Sequence, residues 1–381
     1  MGQGTFIFEP AARTCDWMKI AFINDGSYEF ASGNSAAVGG TERDQWLFAR
    51  MLAATGWSAV VGVREGLKAS ERRAIDKVEY LGIGHGQFLL ACYRFLSSER
   101  PDWLFWEGAS HLLGPLVEVA NCAGVRTLFH TAFDSDVQPS NALTRRRRWW
   151  PLYAWGLSRT HKIFVQHSGQ LSGLKPCWRS KAHVLPKVCI QSGRLAESVA
   201  IKPHVWRPKY VAWVAMLREP KRPDVLIEIA RKAPAVRFVV CGGPTGHRSP
   251  SGYGARIADA LRSIPNIEYR GKTAHEEAMQ VIADAAVLLS TSDGEGFPNT
   301  FTQAWSVGTP VVSLKIDPDS IIARMGLGTV SGTVDRAAAD IQALIDSPQR
   351  REDIAARARQ YVFEMHSESV VTEIFRRALG G

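Results

Sequence analysis

The stretch AVLLSTSDGEGFPNTFTQAWSVGTPVVSL, residues 286–314, decides the fold. Ala285 to Ser290 is a short apolar run ending in small hydroxyl residues, and Pro310 to Leu314 is another. Each has the length of a parallel strand buried on both faces. Between them Gly294, Gly296, Pro298 and Asn299 cannot continue a strand. Asn299-Thr300 is placed to cap a helix running to about Val307, with Gly308 ending it. Glu295, Gly296 and Phe297 therefore belong on the loop after a parallel strand, where a helix N-terminus aims free N–H groups at a ligand. Such a site favours anions.

Working outward, strand and helix alternate twice over. In the first half MKIAFIND (18–25), WSAVVGV (57–63), DWLFW (102–106), VRTLFH (125–130), HKIFVQ (161–166) and AHVLP (182–186) read as strands, and 42–54 and 111–123 as helices. In the second half YVAWVAML, VRFVVCG, IEYRG, AVLLS and PVVSL alternate with helical stretches beginning near Pro223, Gly254, Ala274 and Asn299. This alternation predicts an α/β chain with two parallel sheets covered by helices, one per domain. Residues 187–208, with Gly193, Pro203 and Pro208, read as the connection. The expected division is a tail over 1–17, an N-terminal domain over 18–195, a C-terminal domain over 196–358 and an amphipathic terminal helix over 359–381, its pattern beginning near 353. Met18, directly before KIAFIND, is a candidate natural start.

Composition fits a two-domain enzyme. The 381 residues are 45% hydrophobic and 22% charged, globular rather than disordered. No apolar run approaches the roughly 18 residues of a membrane span, and the opening residues lack a basic start followed by an apolar stretch. A cytosolic location is the expectation. Cys15, Cys92, Cys122, Cys177, Cys189 and Cys241 are scattered without a CxxC pair, so reduced and mostly buried thiols are expected rather than a disulfide frame or zinc site.

Glu295-Gly296-Phe297-Pro298-Asn299, with Gln303-Ala304-Trp305 and then Gly308-Thr309-Pro310-Val311-Val312, resembles the donor-site motif of family 4 retaining glycosyltransferases, which have the GT-B fold. The resemblance implies two Rossmann-like domains facing across a cleft, with the last helix crossing back to the N-terminal domain. It implies transfer of a hexose-type sugar from a UDP- or GDP-sugar to a saccharide or lipid-linked saccharide, with retention and without a required metal or other cofactor. Bacterial members that build surface polysaccharides are the nearest in phrasing. Relatives carry glutamates at the positions of Glu295 and Gln303; here the second is an amide, which still bonds a ribose hydroxyl. The resemblance places Gly296, Phe297, Pro298, Asn299, Thr300 and Gln303 at the donor.

The stretch 210–244 follows the same order, its second strand ending in Gly242-Gly243-Pro244. Relatives clamp the donor phosphates with an Arg at the strand end and a Lys five residues on. Here the Lys is Lys221, and Met216 holds the Arg position. Arg218, two residues along, faces the same side if the chain stays extended there. Positive charge is needed because departure of a nucleoside diphosphate builds charge on the phosphates. Gly243 is expected at the donor too, as are Gly39 and Gly40, which open the first helix and let the backbone approach a ligand, with Thr41 positioned to cap.

His130 ends a strand, where the resemblance puts a histidine near the transferred sugar. Glu295, His130 and Lys221 are the catalytic candidates. Asp134-Ser135-Asp136 has the form of a DxD metal site but suits a different fold, and reads as a polar loop facing the cleft. LTRRRRWWPLYAWGLSRTHK (143–162) interleaves Arg145, Arg146, Arg147 and Arg148 with Trp149, Trp150 and Trp155 and contains no acid. It suits a lipid-phosphate acceptor or an anionic membrane surface, with a solvated helix and a nucleic-acid face as alternatives. The net charge of +9 favours an anionic partner without selecting one. Two other classes remain open: an epimerase or hydrolase using the same donor pocket, and a non-catalytic nucleotide-sugar-binding subunit, motivated by Met216 and Gln303.

Overall fold

The computed structural model describes residues 18–33, 39–143, 147–189, 210–245 and 249–380. Two sheets organise them. The first joins β1 (Lys19–Ile23), β2 (Ser58–Val63), β3 (Arg72–Ile75), β4 (Val78–Gly82), β5 (Trp103–Glu107), β6 (Arg126–His130), β7 (Lys162–Val165) and β8 (Ala182–Val184) in the order β3-β4-β2-β1-β5-β6-β7-β8. The second joins β9 (Tyr210–Val214), β10 (Arg237–Cys241), β11 (Ile267–Gly271), β12 (Val287–Ser290), β13 (Val311–Ser313) and β14 (Gly328–Val330) in the order β11-β10-β9-β12-β13-β14. The pairs are parallel except β3 with β4.

The helices Phe88–Glu99 and Val334–Asp346 add to the expected pattern, and three further features depart from it. The β3–β4 hairpin, absent from the sequence reading, turns on Asp76 and Lys77 at φ 51° and 65°. Both central residues are left-handed, as a two-residue hairpin turn requires, but the glycine or asparagine that normally marks one is lacking. The short edge strand β14 was also not expected. The C-terminal stretch is two helices, Pro348–His366 and Glu368–Leu379, broken at Ser367, whose ψ of 153° leaves the helical region.

That break lets the chain serve both halves. Ala358, Tyr361 and Val362 of the first helix pack under the second sheet. Val371, Phe375, Ala378 and Leu379 of the last helix enter the core of the first sheet, with the Phe375 ring against Phe48, Phe105 and Phe164. Of the described cysteines, Cys92, Cys189 and Cys241 are buried free thiols, whereas Cys122 and Cys177 are exposed. Residues 190–208 of the expected connection lie outside the described residues, as do Cys15, Arg145 and Arg146.

Candidate active site

In the second sheet the chain runs from β9 outward to β10 and β11, then returns to place β12 on the other side of β9. The loops after β9 and β12 therefore leave the sheet at its topological switch point, where open α/β sheets bind ligands. Lys221 sits on the first loop and Glu295 on the second, and their side chains form a direct ion pair, both largely buried. The loops are cross-bonded beneath that pair. Thr291 Oγ1 accepts from Trp213 Nε1 (3.0 Å) and donates to the Lys221 carbonyl (2.7 Å), and the Asp293 N–H donates to the Pro220 carbonyl (3.0 Å). Arg222, at φ 49°, pairs with Asp224 and Asp293 at 2.8 Å each, and Lys315 pairs with Asp293 at 2.5 Å. Lys221, Arg222 and Lys315 thus gather at the strand ends, each paired with a carboxylate.

Backbone shape here depends on glycine at one position above all. Gly242 has φ +149°, and a Cβ there would lie 1.7 Å from the Ala215 carbonyl oxygen. The chain can pass between β9 and β10 only without a side chain. A Cβ at the adjacent Gly243 would meet the Lys272 side chain at 3.0 Å.

Several expected details change. The helix Asn299–Ser306 has Pro298 as its N-cap, with Val307 as C-cap and Gly308 beyond at φ +75°. Asn299 is thus inside the helix rather than capping it, and its Nδ2 donates across to the Gly40 carbonyl (3.3 Å). The helix Gly40–Ala54 starts with Gly39 as N-cap and no side-chain cap bond, so Thr41 does not cap. Arg218 does not continue an extended strand: β9 ends at Val214, and the Arg218 N–H turns back to the Met216 carbonyl (2.8 Å). Its Nε is buried without a hydrogen-bond partner; its link to Lys221 is through the backbone, the Lys221 N–H donating to the Arg218 carbonyl (3.0 Å). Phe297 is buried against Trp305 and His366, with ring centroids 6.2 and 5.2 Å away, and Gln303 is 8% exposed on the inward face of its helix. Thr300 is half-buried in the first turn of that helix.

His130 has no exposed surface at the end of β6. Its ring packs against Phe48 and Phe105, and Nδ1 is 3.2 Å from Glu107 Oε1. It therefore makes its contacts inside the N-terminal half, not at an open cleft surface. Burial holds its pKa well below the ordinary histidine value, and the nearby Lys187 charge adds to this. Burial also pushes the Glu107 carboxyl well above the usual range, against the pull of Lys187. Lys187 itself is buried, with Nζ 2.5 Å from Asp44 Oδ2 and 3.8 Å from Glu107 Oε1. Nothing in the sequence marked this ionic cluster, whose members lie far apart in the chain.

The DSD loop is spent on local bonding. Asp136 Oδ2 accepts from the N–H groups of Ala132 (2.7 Å) and Phe133 (3.1 Å), while Asp134 Oδ1 is bonded by His167 Nε2 (2.7 Å) and Gln170 Nε2 (2.9 Å). The Asp134 N–H donates to the Glu295 carbonyl (3.2 Å), so this loop does meet the donor-side loop across the cleft. Arg147, Arg148, Trp149 and Trp150 lie at the start of the helix Trp150–Arg159 and are exposed.

Two facing Rossmann-like domains with a helix crossing between them, and a carboxylate and a lysine at the switch point of the second, define the GT-B fold of glycosyltransferases. Residues 197–361 match the family Glycosyl transferases group 1, so the C-terminal half carries a domain of that kind. D-inositol 3-phosphate glycosyltransferase from Mycobacterium marinum is 30% identical over 183 residues, covering 45% of this chain and 39% of its own length. The Mycobacterium tuberculosis (strain F11) enzyme is 30% identical over 183 residues, with 45% and 38% covered. The match thus spans less than half the length of these curated relatives. Among solved structures, sucrose-phosphate synthase from Thermosynechococcus elongatus superposes with a TM-score of 0.74 at 15% identity, covering 94% of this chain and 98% of that one. The Anabaena protein HepE, solved in complex with UDP-glucose, gives 0.70 at 14% identity, covering 94% and 99%. These likenesses establish the fold over nearly the whole chain.

Proposed function

We propose that this protein is a retaining glycosyltransferase of family 4 type, moving a hexose-type sugar from a UDP- or GDP-sugar to a saccharide or lipid-linked saccharide in polysaccharide or glycoconjugate biosynthesis. The observation that carries the reading is the Lys221–Glu295 pair at the switch point of a group 1 glycosyltransferase domain. In the bound state Lys221 turns to the diphosphate and Glu295 to the sugar hydroxyls. The bond from the anomeric carbon to the phosphate oxygen breaks, its electron pair leaving with the nucleoside diphosphate. The acceptor oxygen bonds to that carbon from the same face, and its proton passes to the departing phosphate. Gly39 and Gly40 face the donor from the other domain, as the Asn299–Gly40 bond across the cleft supports. No metal enters this scheme; Lys221 and the helix N-terminus at Pro298 supply the positive field.

The test is thermal stabilisation by a panel of nucleoside diphosphates and their sugars, with and without EDTA. A ligand at a hundred times its Kd adds about 2.7 kcal/mol. Stabilisation by one base, unchanged by EDTA, is expected; stabilisation that EDTA abolishes refutes the metal-free scheme, and none at all refutes the donor site.

A cytoplasmic enzyme working at the inner face of a membrane is the second part of the proposal. Trp149, Trp150 and Trp155 are 42%, 40% and 41% exposed, and Arg147 and Arg148 stand beside them. Large rings with arginines suit a phospholipid headgroup layer. Among the described residues no helix is long and apolar enough to cross a membrane, so attachment would be through this surface. Flotation with phosphatidylserine vesicles, lost in the Trp149→Ser/Trp150→Ser variant, is expected; equal flotation of both proteins refutes it.

A further inference from the structure

β7 ends at Val165, and the residues that follow reach the loops of the other sheet. Gln166 is 2% exposed. Its Oε1 accepts from the Phe297 N–H (2.5 Å) and its Nε2 donates to the Thr131 carbonyl (2.6 Å). Its own N–H donates to Gln170 Oε1 (2.8 Å), which also accepts from Thr131 Oγ1 (2.6 Å). An amide has one acceptor end and one donor end, and here a fixed backbone partner specifies each. Glutamate keeps the first bond and methionine neither.

The opposite wall is as closely fitted. A Cβ on Gly296 would lie 2.1 Å from Gln166 Oε1 and 2.9 Å from the Ala132 carbonyl oxygen. The Glu295 carbonyl takes the Asp134 N–H. The backbone of Glu295 to Phe297 is therefore set by groups of the N-terminal half, while the Glu295 side chain points to Lys221 of its own half. One turn further, Asp319 (φ 53°) accepts from the N–H groups of Ser168 (2.8 Å) and Gly169 (2.9 Å) and lies 3.3 Å from His167 Nδ1. The segment Gln166 to Gly169 thus clasps two loops of the C-terminal sheet.

We propose that Gln166 is a positioning residue for Glu295: by holding the Phe297 N–H it fixes the loop so that the carboxylate reaches its working position only when the two halves are clasped. This rests on the reading of Glu295 as the donor-sugar carboxylate. Gln166 acts through the loop and touches no reacting atom. A displacement of about 1 Å in a catalytic group can cost on the order of a hundredfold in rate, whereas nucleotide contacts made wholly by the C-terminal half are untouched.

The test compares the full chain with Gln166→Met, Gln166→Glu and Glu295→Gln. The readouts are hydrogen exchange at the Phe297 amide, affinity for UDP or GDP, and release of UDP from UDP-glucose or GDP from GDP-mannose, whichever nucleotide stabilises the protein. Gln166→Met is expected to speed Phe297 exchange and lower turnover by at least about tenfold, with nucleotide affinity within about twofold. Gln166→Glu, which keeps the acceptor, should recover part of both. Gly296→Ala attacks the same junction from the other side and, if Gln166→Met does not fold, supplies the exchange and turnover readouts in its place, its own nucleotide affinity not being a control. Faster exchange with wild-type turnover, or unchanged exchange, overturns the inference. If Glu295→Gln loses turnover while Gln166→Met keeps it, the inference alone fails; if Glu295→Gln keeps it, the donor reading fails as well.

Discussion

Replacing Lys187 by methionine should destabilise the protein through two buried carboxyl groups. The ammonium is 2.5 Å from Asp44 Oδ2 and 3.8 Å from Glu107 Oε1, and none of the three side chains is more than 5% exposed. Methionine preserves the length of the stem and removes the charge. The Asp44 carboxylate is then left buried without its counter-ion, a loss that typically costs about 3–5 kcal/mol. At roughly 2–4 °C per kcal/mol for a domain of this size, the midpoint should fall on the order of 10 °C. The double variant Lys187→Met/Asp44→Leu removes both charges and should regain at least half of the loss, because apolar replacement of a buried pair is often close to neutral. The lysine pKa is raised: burial opposes the charge, but Asp44 and Glu107 outweigh it. Its stabilisation is then complete below the unfolded value near 10.4 and lost only as pH rises through the folded value. At pH 7 the lysine's contribution is therefore fully present, and the deficit of Lys187→Met is read there. Scanning calorimetry and urea unfolding measure it; a single variant within about 1 kcal/mol of wild type, or a double variant less stable than the single, would refute the reasoning.

Three further outcomes are expected. Glu295→Ala and Lys221→Ala should each lower sugar transfer by at least about tenfold while unfolding stays cooperative, and wild-type rates in both would remove the donor site from the switch point. Burial lowers the His366 pKa to about 4, partly offset by its bond to the Lys187 carbonyl, so its contribution is present above about pH 6.5 and lost as pH falls from there. Wild type should therefore lose about 1.4 kcal/mol per pH unit more than His366→Gln in that window, and parallel pH–stability curves would contradict the assignment. Gly242→Ala, whose Cβ would lie 1.7 Å from a carbonyl oxygen, should cost about 3 kcal/mol, whereas Gly294→Ala, with open space around it, should stay within about 0.5 kcal/mol; equal stabilities would show that the β9–β10 passage yields easily.

The legible parts of this protein were those whose physics is local. A strand buried on both faces announces itself as an unbroken apolar run, and AVLLS and PVVSL did so; a glycine-rich turn between them placed Glu295 at a strand end before any contact was known. The hairpin at Asp76-Lys77 escaped because its left-handed turn carries neither glycine nor asparagine, and its strand RRAI is exposed and charged. The break at Ser367 escaped because serine is tolerated inside a helix; what ends the helix is that Phe375 and its neighbours are needed in the other core.

The site divides along the same line. Lys221 and Glu295 were readable one loop at a time, but their pairing follows from strand order, which brings β9 and β12 side by side although two strands intervene in sequence. Gln166 carried no signal beyond standing at the end of an apolar strand. Its role depends on a partner 131 positions away, and the pattern of one strand cannot report what approaches its end. His130, by contrast, had the stronger motif and lies in the core, where burial suppresses its charge. A polar residue at a strand end is thus only a candidate; what distinguishes Gln166 from His130 is that the opposing domain donates a hydrogen bond to one and leaves the other enclosed by its own. A cleft between two sheets is built from such cross-domain bonds, and they are the feature that single-strand patterns do not encode.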